Sequence, residues 1–288
     1  MTSEAGTTDS GTTEAGTTAY ERATAVRRAD EARFEAEIHP GWWVVRGPHG
    51  GYISAIILRA LTERLGDPSR HIRSFTTHFT AAPTEAPLTI ATSVDRAGRS
   101  MSFLSARMEQ DGIVVATALA AFSEPWAGFE FDDAPMPDVP SPDRSFEIPK
   151  EGANIPAFLG NFDMRACFGA FPFSGHHEAV VGGWYRLHEP QVVDPIVMST
   201  LLDAWAPAVF PKATEMIVCP TIDLTMHFRT PLPLEGAEPS DYYLGRFSSS
   251  LSRQGFFEED GEVWSADGRL IAQCRQLALA LYPKKGSG

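Results

Sequence analysis

Thr77-His78-Phe79, followed after a gap by Asp111-Gly112-Ile113-Val114-Val115-Ala116, is answered later in the chain by Met226-His227-Phe228, a gap, and Asp267-Gly268 leading into Leu270-Ile271-Ala272. Each copy opens on an aromatic stretch, Gly41-Trp42-Trp43 or Gly183-Trp184-Tyr185, shortly before an apolar helical run, Tyr52 to Leu65 or Ile196 to Val209. A unit of strand, helix and several strands written twice is internal symmetry. Its value is comparative: a residue type present in only one copy serves something other than the fold.

In the first copy Gly66-Asp67-Pro68 stops the helix, and stretches 72–80, 88–96, 100–110 and 113–123 read as strands. Ser102, Leu104, Ala106 and Met108 share one face of their strand, and Asp111-Gly112 supplies a tight turn to the next. In the second copy strands are expected near 162–171, 179–188, 221–229, 242–250, 253–265 and 269–281. Its helix is expected from Pro195, well placed at a helix start, to Val209. The acidic run Glu258-Glu259-Asp260-Gly261 reads as a solvated hairpin tip.

The expected class is α+β, a double hotdog: two tandem units, each a curved antiparallel sheet wrapped around a central helix. The alternatives are an unrelated α+β repeat and a cupin-like barrel. The barrel needs a spaced metal set, and His176-His177 with Glu178 is too local to supply one, so no metal is expected. The first residues repeat Glu-Ala-Gly-Thr-Thr and cannot bury enough apolar area to offset chain entropy. The expected divisions are a disordered tail (1–22), an N-terminal hotdog (23–124), a Pro-rich acidic linker (125–158) and a C-terminal hotdog (159–288).

At 288 residues with a formal charge of −13, the chain has the length for a sizeable core and repels polyanions, so nucleic acid is not an expected partner. Cys167, Cys219 and Cys274 are an odd number without metal-ligand spacing and read as reduced core thiols. No apolar run approaches the roughly 18 residues of a membrane span. A cytoplasmic location is expected.

Three polar residues belong to the second copy alone. Aligning the Asp-Gly turns (111 with 267) sets Gln276 opposite Ala120, with the parity of Ala272, Cys274 and Ala278 on the small, apolar side of its strand. Aligning the His-Phe pairs (78 with 227) sets Thr221 opposite Ile72. Asp203 interrupts the apolar run Leu201-Leu202-Asp203-Ala204-Trp205, whereas the first helix has no carboxylate between Tyr52 and Thr62. A carboxylate, a hydroxyl and an amide at one helix–sheet contact are the parts of a water-activating site, the acid taking a proton while the other two orient the water. Singly, each has a plain structural reading: a turn cap, a strand start after Pro220, and an amide paired with backbone.

Pro220-Thr221-Ile222-Asp223-Leu224-Thr225-Met226-His227-Phe228, the expected helix containing Asp203, and Asp267-Gly268-Arg269-Leu270-Ile271-Ala272 with Gln276 resemble the type II (TesB-like) acyl-CoA thioesterases of the double-hotdog class. Gly50-Gly51-Tyr52 and Arg73-Ser74-Phe75-Thr76-Thr77-His78-Phe79 resemble that family's N-terminal hotdog, and the likeness spans roughly residues 30–123 and 160–282. It implies that Asp203, Thr221 and Gln276 orient the hydrolytic water. It also implies an acyl-CoA substrate, coenzyme A entering only as part of that substrate, with no separate cofactor.

Resemblance and residues together predict hydrolysis without a covalent acyl-enzyme, since the chain has no Gly-x-Ser-x-Gly elbow. Asp203 is the expected base, and Gly50 and Gly51, at a helix start, are expected to offer N–H groups to the oxyanion. The first copy's basic cluster, Arg59, Arg64, Arg70, His71 and Arg73, is the expected site for coenzyme A phosphates. A non-catalytic acyl- or lipid-binding scaffold and a hotdog hydratase or dehydratase are the competing functions. Either a monomer or a homo-oligomer of double-hotdog chains fits.

Overall fold

The computed structural model describes residues 17–45, 47–150, 152 and 155–283. Helices are α1 (Ala19–Ala23), α2 (Gly50–Leu65) and α3 (Pro195–Leu201). The strands of the first half are β1 (Arg27–Arg28), β2 (Arg33–Ala36), β3 (His71–Phe79), β4 (Leu88–Ala97), β5 (Met101–Gln110) and β6 (Ile113–Ser123). The rest are β7 (Phe146–Glu147), β8 (Phe162–Phe168), β9 (Val180–Leu187), β10 (Thr221–Phe228), β11 (Tyr243–Ser248), β12 (Ser252–Arg253), β13 (Phe256–Ser265) and β14 (Leu270–Leu279).

All strands join one sheet, in the order β1-β2-β4-β5-β6-β3-β10-β14-β13-β11-β9-β8-β7, with β12 hairpinned onto β13. The halves meet where β3 pairs antiparallel with β10 and Thr76 lies opposite Thr225, their hydroxyls 3.0 Å apart. Those two threonines have the same sequence offset as His78 and His227, so a pseudo-twofold axis passes between them. Asp111-Gly112 turns β5 into β6 with both residues at positive φ (51° and 77°), which suits the twist of a tight hairpin.

Both central helices pack against each other and the sheet. In α2, Gly51 to Leu58 are buried without a break, so the helix is apolar all round and forms the core instead of floating on it. Ile56, Ile57, Leu58 and Leu61 are fully enclosed, each contributing about 1.5–3 kcal/mol of transfer free energy. The His49 ring caps the first turn, and Gly66, in the left-handed region, ends the last. Among the described residues no helix is long and apolar enough to cross a membrane.

Several expectations are corrected. The second helix ends at Leu201, not Val209. Pro207 has no N–H to give and disfavours helical geometry at Ala206, so a helix cannot run through to Val209, and the chain already turns at Leu202. Glu258-Glu259-Asp260-Gly261 is no hairpin tip but the middle of β13, with Glu259 buried. Of the tail expected to be disordered over 1–22, residues 1–16 lie outside the described residues, and 17–22 are ordered. There a capping box (Thr18, Glu21) starts α1, and Tyr20 is buried, its hydroxyl donating to Ile196 O at 2.8 Å beside Thr200 Oγ1.

The segment expected as linker lies on the sheet's outer face. Trp184 and Trp264 donate their indole N–H groups to Pro140 O (2.8 Å) and Ala134 O (3.0 Å). The same segment adds the edge strand β7, and a 3-10 turn, Ala157–Asn161, carries Phe158 into the core. Among the described residues no group of three or more His, Cys, Asp or Glu side chains is placed to hold a metal ion.

Candidate active site

Ending α3 early decides where Asp203 points. Instead of lying along the helix, the residue sits in the turn after it, its N–H bonded to Thr200 O (3.2 Å), and its carboxylate meets the N-terminus of α2. Gly51 N–H donates to Asp203 Oδ2 at 2.8 Å. A Cβ on Gly51 would fall 2.9 Å from both Asp203 Cβ and Ser199 O, and one on Gly50 would fall 2.9 Å from Asp203 Oδ2. The glycine pair is therefore a sequence requirement of this approach. It also corrects one expectation: the Gly51 N–H serves Asp203, not a substrate oxyanion.

His49 completes this end of the site. Its Nδ1 accepts Tyr52 N–H (3.1 Å), which makes Nε2 the donor, and Nε2 lies 2.6 Å from Asp203 O and 3.4 Å from Asp203 Oδ2. The ring is buried and stacked on Phe158 at 5.0 Å. Burial raises the Asp203 carboxyl above its ordinary range, and His49 and Gly51 N–H pull the other way. The Asp203 side chain is only 13% exposed.

Thr221 and Gln276 come together on the sheet. Gln276 is buried on the covered face of β14 with Ala272, Cys274 and Ala278, as its parity demands. A bulge between Thr221 and Asp223 at the start of β10 swings the Thr221 side chain toward it, and Thr221 Oγ1 donates to Gln276 Oε1 at 2.9 Å. Asp203 bonds to neither. Cys274 Sγ, two residues before Gln276 on the same face, reaches Leu202 O at 3.3 Å, which fixes β14 against the turn carrying Asp203.

Sequence reasoning missed Glu259. It stands directly opposite Gln276 in the β13–β14 register and accepts from Gln276 Nε2 (2.7 Å) and from Ala208 N–H (2.5 Å). Burial pushes its carboxyl up to about 7, and the negative charge of Asp203 adds to that rise. The signal was its parity: Phe257, Gly261 and Val263 share its face. A buried amide opposite also asks for a partner.

The arginines of the basic cluster each have a partner close by. Arg59 donates to buried Thr24 (2.7 Å), Arg64 meets Glu31, Arg70 is held by Asp67, Ser102 and two loop carbonyls, and Arg73 donates to Ser123 (3.1 Å). Each guanidinium tied to a local partner is an explanation of the cluster that needs no phosphate. Neither Arg59 nor Arg73 bonds to a residue of the Asp203 and Gln276 constellation.

Two family profiles match the chain, one described as the acyl-CoA thioesterase N-terminal domain (residues 39–123) and one as the acyl-CoA thioesterase C-terminal domain (residues 132–280). The chain belongs to the acyl-CoA thioesterase family. The C-terminal profile begins inside the segment that the sequence suggested was linker. Among solved structures, an Alicyclobacillus acidocaldarius protein of unknown function with a hot dog fold matches with a TM-score of 0.84 at 27% identity, covering 93% of this chain and 100% of that one. A putative thioesterase II from Thermobifida fusca matches at 0.79 and 24% identity, covering 92% and 98%. An uncharacterized protein of Mycobacterium tuberculosis is 25% identical over 274 residues, 85% of this chain and 90% of its own. The structural likenesses establish the double-hotdog fold of this thioesterase-family chain.

Proposed function

We propose that this protein hydrolyses an acyl-CoA thioester to a carboxylic acid and free coenzyme A, by direct attack of a water deprotonated by Asp203. The observation that carries the reading is the bonded row Thr221–Gln276–Glu259 on the covered face, beside a carboxylate docked on the start of α2. Because Thr221 gives its proton to Gln276, its remaining lone pairs accept from water. Asp203 accepts the water's other hydrogen, and the water's free lone pair faces the thioester carbon.

As the C–O bond forms, that proton passes to Asp203. The C–S bond then breaks, and the departing sulfur takes the proton back. The second N–H of Gln276 and the N–H of Gly50, at the positive end of α2, are the donors for the developing oxyanion. Desolvation suits Asp203 to the task, since a carboxyl held above its ordinary range is the stronger base.

One observation bears on the hydratase or dehydratase alternative, which wants a His and an acid at a helix start. His49 and Asp203 are such a pair. Both His49 ring nitrogens are committed, however, and the ring is buried under Phe158. Hydrolysis is therefore the better supported reading. The test is thiol release from acyl-CoAs of graded chain length, followed with a chromogenic thiol reagent. Release on at least one chain length is expected; its absence on all of them, or the appearance of a conjugated enoyl thioester from a 3-hydroxyacyl-CoA, contradicts the proposal.

A further inference from the structure

We propose that Glu259 is a positioning residue of the hydrolytic site: it fixes the Gln276 amide in one of its two orientations and thereby sets the direction in which the Thr221 hydroxyl points. This rests on the hydrolytic reading above and adds a residue that reading does not need for bond making or breaking. Glu259 Oε1 lies 2.7 Å from Gln276 Nε2, and Gln276 Oε1 lies 2.9 Å from Thr221 Oγ1. The other carboxylate oxygen accepts from Ala208 N–H, so the side chain is pinned at both oxygens. It is buried, at 3% exposure.

A primary amide rotated by half a turn presents its oxygen where its nitrogen was, with little change in shape. Opposite an apolar residue Gln276 would be free to do so. Above about pH 7, where Glu259 is mainly ionised, the carboxylate only accepts, so Nε2 must face Glu259, Oε1 must face Thr221, and the threonine proton must go to Oε1. Thr221 then offers lone pairs, not a proton, to the space in front of it. In the rotated state Thr221 would accept from Nε2 and present its proton instead, turning a water the wrong way for attack.

The fold itself does not ask for this carboxylate. In the first half the residues in the same register are Leu104 opposite Ala120, with Phe75 on the next strand; in the second they are Glu259 opposite Gln276, with Leu224 next. A leucine fills the corresponding place on the same architecture. An acid there, buried and aimed at the amide, therefore points to the site it borders.

The test is a double-mutant cycle on the full-length protein with Glu259→Gln, Gln276→Ala and the pair, reading kcat and KM for the best acyl-CoA and checking folding by circular dichroism. Glu259→Gln keeps the shape but brings an NH2 group against two donors. We expect kcat to fall about tenfold with KM within about twofold, and no further fall when Glu259→Gln is added to Gln276→Ala. An unchanged kcat in Glu259→Gln, or the same loss in the Gln276→Ala background as in the parent, overturns the proposal.

A readout free of turnover separates this from failure of the hydrolytic reading. The Gln276 side-chain NH2 signals, identified by their disappearance in Gln276→Ala, are expected to show one strongly shifted, slowly exchanging proton in the parent and to lose that character in Glu259→Gln. Signals unaffected by Glu259→Gln sink the positioning role. A parent that releases no thiol yet shows the shifted proton sinks only the hydrolytic reading.

Discussion

The two halves of this molecule are the same sheet and helix put to different uses, and the difference is confined to a few side chains. Row by row across the strands, Phe75, Ala120 and Leu104 in the first half stand where Leu224, Gln276 and Glu259 stand in the second. Ile72 opposite Phe122 becomes Thr221 opposite Ala278, and the bulge after it is kept in both copies. The apolar rows bury area and need nothing else. The polar rows cost desolvation, and each polar atom answers that cost with a named partner. The first half in turn lends the second its helix N-terminus, Gly51, and the ring of His49. The site belongs to one copy but is completed by both.

The largest effect is expected where that comparison is starkest. Asp203→Asn removes the proposed base while keeping the shape, and kcat for thioester hydrolysis should fall about a hundred- to ten-thousand-fold, measured as thiol release. A rate within twofold or so of the parent would break the claim that the second copy carries the chemistry.

Making the second half resemble the first sharpens the comparison. The double variant Glu259→Leu with Gln276→Ala restores an apolar row, and kcat should drop about a hundredfold while stability holds or rises, read from chemical denaturation. Gln276→Ala alone takes away the partner of the Thr221 hydroxyl and one of the two partners of Glu259, which keeps Ala208 N–H, and should cost about 1–3 kcal/mol of stability. The double variant should recover most of that.

Gly51→Ala tests the loan from the first half. Its methyl group would sit 2.9 Å from Asp203 Cβ and Ser199 O, so the carboxylate must move. Activity should fall about tenfold or more and stability by about 1–3 kcal/mol.

The pH dependence follows from Glu259, which is ordinarily half-protonated near 4.5 and here near 7. Facing it are the Asp203 and Asp260 carboxylates, the Cys219 and Cys274 thiols, the Gln276 amide and the Ala208 N–H. A carboxyl whose folded value is raised contributes stability that is complete below its unfolded value and is lost as pH climbs through the folded one. Asp203 and Asp194, also raised by burial, act in the same direction. The melting temperature of Glu259→Gln relative to the parent should therefore increase steadily from about pH 5 to about pH 8. A constant difference would contradict the buried, titrating acid. The smallest effect is expected at Arg73→Ala: its bond is to Ser123, so KM for acyl-CoA should stay within about twofold.

How much of this the sequence discloses follows from the range over which each signal acts. Strands, the Asp-Gly turns and the inward parity of Gln276 are legible because alternation and turn chemistry are local, and because two copies can be compared. The helix end was not: Leu201-Leu202 and Ala204-Trp205 carry the apolar period past the true stop, and only Pro207 signals the break. Glu259 was hidden by its neighbours, since three consecutive acids look solvated although every second residue of a strand points inward. Tyr20 was hidden by the low-complexity phrases before it, although Thr18 and Glu21 spell a capping box. Nearness along the chain does not fix what the arginines meet, since it puts Arg59 on α2 and Arg73 on β3, where different partners hold them.

The central claim is that water, held by the polar row and deprotonated by Asp203, attacks the thioester directly. A single turnover with enzyme in excess, run in heavy-oxygen water and read by mass spectrometry of the released acid, tests it most directly. The account predicts that the first product molecule carries one heavy oxygen. Unlabelled acid in that first turnover, its new oxygen drawn from the Asp203 carboxylate through a covalent intermediate, would contradict it.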